Sequence, residues 1–206
     1  MEANKKRSDH LKYKMAQMLG DQKNVHILYS YDGMRNYIEQ AIRYIEEGVL
    51  SGDYVILIEN DRIYKILHAE LNKRLTSVQM ELVHWVNNFD FYYSSGSYHP
   101  PAITEYFQKT VQPYVENEIS FRSWAHVEWA SMKEPLNIIE DFERIVDDAV
   151  NELFFPLICA YQGVKMPEHL RKILMETHPY VLLEDELVPS EQYSELETVL
   201  AAEESE

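Results

Sequence analysis

The chain has 206 residues, 46% hydrophobic and 26% charged, which suits one globular domain with a substantial core and argues against two full-size domains. Its 19 Lys and Arg against 35 acids leave a net charge of −16, which opposes attraction to phosphate backbones, so no direct nucleic-acid contact is expected. No apolar run approaches the roughly 20 residues of a spanning helix and the N-terminus lacks the apolar centre of a signal peptide, so the expectation is a cytoplasmic chain with no membrane contact.

In chain order, Leu11, Met15, Met18 and Leu19 fall at helical spacing behind Ser8 and Asp9, which predicts an amphipathic helix and linker over residues 1–24. Val25–Tyr31 reads as a strand, and Ile38, Ile42 and Ile45 mark a helix over Met34–Glu47. The continuous apolar run Tyr54–Ile58 is the pattern of a strand covered on both faces, and Ile63, Ile66, Leu67 and Leu71 mark the following helix. Alternating Val78, Met80 and Leu82 predict a strand over Val78–Val86 near a sheet edge, and the aromatic stretch Phe89–Tyr93 leads into a loop at 94–99. Pro100 and Pro101 open a helix carrying Ile103 and Phe107, Ser120–Trp129 reads as a strand, and Pro135 opens a helix carrying Ile139, Phe142 and Val146. Leu153–Tyr161 is a further strand, and within it Cys159, the only cysteine, is expected to be a buried, inert thiol. Pro167 starts a helix ending near Thr177, and Tyr180–Leu183 supplies the last strand. Residues 185–206 form an acidic tail in which Tyr193, Leu196 and Leu200 share a helical stripe behind Ser190. Removal of residues 188–206 is expected to leave the melting temperature of the core nearly constant.

Strands alternating with helices predict an α/β fold of three layers, a mainly parallel sheet flanked by helices, over residues 25–184. Ligands of such sheets sit outside the carboxyl ends of the strands, where neighbouring connections diverge. That rule selects Tyr31 to Arg35, Glu59 to Arg62, the segment around Trp85, the end of Ser120–Trp129, and Tyr161 to Gly163.

The first of these turns, Tyr31-Asp-Gly-Met-Arg-Asn-Tyr37, has one glycine and no lysine, whereas a phosphate-binding loop needs several glycines and a Lys-Ser or Lys-Thr pair. ATP hydrolysis is disfavoured, although Arg35 stands where a helix N-terminus could meet an anion. In Arg122-Ser-Trp-Ala-His-Val-Glu-Trp129 a period of two puts Arg122, Trp124, His126 and Glu128 on one face. These groups either form a structural network or line a cavity; Glu128, nearest the carboxyl end, is the better ligand contact and Arg122 the structural one. His26, His84, His99, His126 and His178 match no local metal-ligand motif, so hydrogen-bonded histidines are expected and no metal or cofactor is assigned. Aromatic residues at strand ends suit a small organic ligand. The candidate ligand-binding set is therefore Tyr31, Arg35, Glu59, Trp85, Trp124, His126, Glu128 and Tyr161, with no catalytic residue assigned.

Several segments together resemble the MEDS sensory domain of methanogens and methylotrophs: His26-Ile-Leu-Tyr29, Tyr37 through Gly48 to Tyr54-Val-Ile-Leu-Ile58, Tyr92 through Gly96 to His99, Arg122 to Trp129, Phe142-Glu143, Cys159-Ala-Tyr161 and His178. The resemblance spans about residues 25–183 and implies a fold similar to RecA/KaiC-type ATPases without their phosphate loop. It implies a non-catalytic module that senses a small, hydrocarbon-related ligand and informs a partner such as a kinase or transcriptional regulator. With no DNA-binding or kinase segment in these residues, output is expected through protein contacts or self-association. The rival reading is a cryptic hydrolase, metal-dependent enzyme or degenerate nucleotide binder using Glu59, His126 and Glu128.

Overall fold

A computed structural model describes residues 24–128, 136–183 and 186–193. The strands are β1 His26–Tyr31, β2 Tyr54–Glu59, β3 Val83–Asn87, β4 Phe121–His126, β5 Leu157–Gln162, β6 Tyr180–Leu182 and β7 Leu187–Pro189. The helices are α1 Met34–Leu50, α2 Asp61–Leu71, α3 Ser77–Met80, α4 Asn88–Tyr92, α5 Pro100–Glu116, α6 Leu136–Leu153 and α7 Glu168–Thr177. One sheet runs in the order β3-β2-β4-β5-β1-β6-β7, parallel except for the antiparallel β6–β7 pair. The predicted helix at 8–19, the end of the predicted fourth strand at Trp129, Pro135, and Leu196 and Leu200 of the tail stripe lie outside the described residues.

Period-two alternation divides the core into two layers. Ile27, Tyr29, Val55, Leu57, Trp124 and Ile158 pack beneath α1 and α2, while Leu28, Ile56, Ile58, Ala125, Leu157 and Cys159 pack beneath α4 to α7. This is the expected three-layer α/β arrangement. Among the described helices none is long and apolar enough to cross a membrane.

Four local readings are corrected, one of them the strand expected from Leu153, which closes α6 instead, so that β5 begins only at Leu157. Val78 is not in a strand: Thr76 and Gln79 close a reciprocal capping box that starts α3, leaving Val78 72% exposed, and the strand begins only at Val83. β3 is nonetheless an edge strand, as its alternation suggested. The aromatic stretch after it is helical, because the Asn87 side chain accepts from the Phe89 and Asp90 N–H groups and caps α4. Finally, the sheet continues past residue 184: β7 pairs with β6, and the Ser190 hydroxyl donates to the Met175 carbonyl at 2.6 Å.

The topology also places the crevice. The chain leaves β1 and β2 into α1 and α2 on one face, whereas the segments after β4 and β5 lead to α6 and α7 on the other. Since β1 neighbours β5 and β2 neighbours β4, connections diverge at both junctions, which opens the carboxyl edge of the sheet there.

Candidate functional site at the carboxyl edge of the sheet

Tyr31, Glu59 and His126 are the last residues of β1, β2 and β4, and α1 brings Tyr37 over them. His126 Nδ1 lies 2.7 Å from Glu59 Oε1, and its Nε2 lies 2.7 Å from the Tyr31 hydroxyl. With the carboxylate as acceptor, Nδ1 carries the proton and Nε2 accepts from Tyr31. The Tyr37 hydroxyl donates to Glu59 Oε2 and accepts from Trp124 Nε1–H at 2.9 Å, while the Asn60 backbone N–H donates to Glu59 Oε1 at 2.7 Å. Glu59, His126 and Trp124 are buried, and the bonds among them make that burial tolerable. Burial, with Glu128 and Glu59 nearby, raises the Tyr31 hydroxyl above its ordinary range; burial and Glu59 do the same to Tyr37. Both therefore remain donors at neutral pH.

Glu128 forms the wet end of this network. Its side chain is 43% exposed, lies 3.8 Å from His126 Nδ1, and accepts from the amides of Asn60 at 3.0 Å and Asn88 at 2.7 Å. Asn60 also caps α2 by accepting from the Ile63 N–H at 2.9 Å, so one side chain fixes a helix start and holds Glu128. Beside the network a cleft of about 320 Å³ is lined by Tyr29, Ser30, Tyr31, Asp32, Asn36 and Gln40, among others. Gly163 closes against it: a Cβ there would lie 2.5 Å from Asp32 Oδ1 and 2.8 Å from Ser30 Oγ.

Of the predicted set, Tyr31, Glu59, Trp124, His126 and Glu128 come together here. Trp85 stands next to them without joining the chain of side-chain bonds; it stacks on Tyr64 at 4.2 Å and donates to the Glu59 carbonyl at 2.9 Å. Arg35 does not take part, being a surface side chain, 89% exposed, paired with Glu39 at 3.3 Å. Tyr161 faces the opposite layer, where its hydroxyl donates to Glu143. Arg122 is structural as expected, held by Asp53 at 2.5 and 2.8 Å with its guanidinium 5.2 Å from the Tyr44 ring centre. Tyr37, Asn60 and Asn88 were not singled out by residue type; Asn60 carried a signal as an asparagine immediately before a helical pattern.

Among the described residues two groups of side chains have metal-ligating atoms in mutual reach: Glu59, His126 and Glu128 at this edge, and His26, Glu143, Cys159 and His178 under α6 and α7. In the second group burial, with His26 beside it, holds His178 down to about 3, so that ring is neutral. Burial and Glu143 push the Cys159 thiol well up, so without a metal it keeps its proton, and it is buried as expected.

The family model of the methanogen/methylotroph, DcmR sensory domain matches residues 25–179. No curated protein matches the chain. Among solved structures the chain is similar to an ATPase domain, with 11% identity, a TM-score of 0.48, and coverage of 78% of this chain and 69% of that one.

Proposed function

Because this chain belongs to the methanogen/methylotroph, DcmR sensory (MEDS) domain family, a family of sensory modules, we propose that it binds a small organic ligand at the carboxyl edge of its sheet and signals through protein contacts without catalysis. One observation carries the reading. Tyr31 is one of the residues lining the cleft, and its hydroxyl bonds the buried His126–Glu59 pair. A ligand that takes the Tyr31 hydroxyl as its own partner leaves His126 Nε2 without a donor, and a buried group left unpaired costs about 1–3 kcal/mol. Occupancy of the cleft is thereby converted into a rearrangement of the network. The volume of about 320 Å³ lies at the lower end for small-molecule sites, and the polar lining favours a ligand with hydroxyl, amine or carboxyl groups.

The output follows from Glu128. It joins the ends of β4, α2 and α4 through Asn60 and Asn88, and next to Asn88 the Phe89 side chain is 63% exposed. Movement of Asn88 is displayed on the surface by Phe89, where a partner or second copy reads it. The turn after β1 supports a non-nucleotide ligand, since Gly33 is its only glycine and Arg35 points to solvent.

A thermal-shift screen with short carboxylic acids, alcohols, amines and nucleotides tests this reading. The expected hit is a small organic compound that raises the Tm of the wild-type chain and does so less in Tyr31→Phe, because selective binding to the native state stabilises it. A nucleotide hit, or stabilisation by the organic compounds that Tyr31→Phe leaves unchanged, would contradict the assignment.

A further inference from the structure

We infer that His26, Glu143, Cys159 and His178 form a second, buried site that binds one divalent transition metal of the zinc class. This inference does not rest on the ligand reading above, since the four residues lie on the opposite side of the sheet.

The two imidazoles are already oriented as metal ligands. His26 Nδ1 lies 3.2 Å from an Asp147 carboxylate oxygen and His178 Nδ1 lies 2.8 Å from the Leu174 carbonyl, so with a metal bound each Nδ1 keeps its proton and each Nε2 supplies the lone pair. Without metal, burial lowers His26 but Asp147 and Glu143 outweigh it and raise the ring overall, favouring a proton on its Nε2 that the metal displaces. The Tyr161 hydroxyl occupies Glu143 Oε1 and leaves Oε2 facing inward. Glu143 Oε2 is 3.4 Å from His26 Nε2 and 3.5 Å from His178 Nε2, and Cys159 Sγ is 3.5 Å from His26 Nε2. Bonds of about 2.0–2.3 Å at tetrahedral angles place neighbouring ligand atoms roughly 3.3–3.6 Å apart; these three separations match, and all four atoms lie within 4.8 Å of one another.

Hydrogen bonding accounts for the cluster only in part, since Glu143 Oε2 meets the two imidazoles at the long distances of 3.4 and 3.5 Å. Glu143 Oε2 and His178 Nε2 are buried with no hydrogen-bond partner among the described residues, and orphaned atoms of this kind are uncommon in native interiors. At Glu59, His126 and Glu128, by contrast, Tyr37, Asn60, Tyr31 and Asn88 already hold the ligand atoms.

Charge also fits. On binding, the Cys159 thiol, and His26 Nε2 where it carries a proton, release protons to solvent as the sulfur–metal and nitrogen–metal bonds form, and a divalent cation with one thiolate, one carboxylate and two neutral imidazoles is neutral overall. A neutral assembly suits four fully buried side chains. Two nitrogens, a sulfur and an oxygen select Zn(II) or Co(II) over magnesium or calcium. With all four positions filled from the chain, the ion clamps β1, β5, α6 and the α7–β6 junction and leaves no coordination position for hydrolytic water.

The test uses the full chain expressed in medium containing Zn(II) or Co(II), then dialysed. The expected result is one metal per chain by elemental analysis and, in the Co(II) form, a thiolate-to-metal charge-transfer band. His178→Gln should lower the metal content at least about tenfold, Cys159→Ser should remove the band, and Glu128→Gln should change neither. Trace metal in the wild-type chain, Co(II) bound without the thiolate band, full metal content in His178→Gln, or loss of metal in Glu128→Gln would each overturn the inference. The wild-type band decides even if a variant does not fold.

Discussion

Glu59 and Glu128 show how one side-chain type takes two roles at the same edge. Glu59 is buried with hydroxyl, amide and imidazole donors on its carboxylate, whereas Glu128 is half-exposed and holds two asparagine amides. Glu59→Gln should therefore cost about 2–4 kcal/mol in urea unfolding, because an amide group must sit among donors. Glu128→Gln should cost less than about 1 kcal/mol and chiefly alter ligand response. Equal losses in the two variants would contradict this division of labour. Sequence alternation disclosed that Trp124, His126 and Glu128 act together, since a strand repeats every two residues. It could not disclose that Tyr161 faces the other layer: alternation shows which residues of one strand share a face, not which side of the sheet that face meets. His26, Glu143, Cys159 and His178 each fell in a segment of the family resemblance, but their grouping was not legible, as they come from three elements and the junction before β6 and have no common local spacing.

At the scale of elements, close approach between α1 and β4 fixes the buried Arg122. A Cβ on Gly48 would lie 2.7 Å from Arg122 Cδ and 2.9 Å from Val55 Cγ2, and Asp53 prevents the guanidinium from moving aside. Gly48→Ala gains about 1 kcal/mol of helix propensity, yet a net loss of about 1–2 kcal/mol is expected because the overlap must be relieved inside a packed layer. A stabilised variant in urea unfolding would show that this contact is soft. Elements with strong apolar runs, β2 and β5 above all, were legible because burial on both faces leaves little choice of residue. Short elements were not: α3, α4 and β7 depend on single caps and pairings, which a few side chains decide. β7 changes one expectation directly. Deleting residues 187–206 removes the pairing to β6 and the Ser190–Met175 bond, so Tm should fall by roughly 5 °C or more, and an unchanged Tm would mean that the strand contributes nothing.

For the whole molecule, the layers bury tyrosines whose hydroxyls resist ionisation in place. Burial raises Tyr31, Tyr37, Tyr92 and Tyr98 above the ordinary value of 10.0. A raised acid contributes its stability in full below the unfolded value and loses it as pH climbs above that value toward the folded one. Urea midpoints should thus decline above about pH 10, with tyrosinate absorbance rising in step with unfolding; gradual ionisation of all tyrosines without loss of structure would contradict their burial. The three-layer frame serves the sensory reading by holding Tyr31, Glu59 and His126 at one edge while the cleft beside them stays open. The most direct test follows the ring nitrogens of His126 by NMR while a compound that raises Tm is titrated in. The account predicts that His126 Nε2 shifts in proportion to occupancy as Tyr31 changes partner, with no such shift in Tyr31→Phe. Saturating binding that leaves the His126 ring unmoved would contradict it.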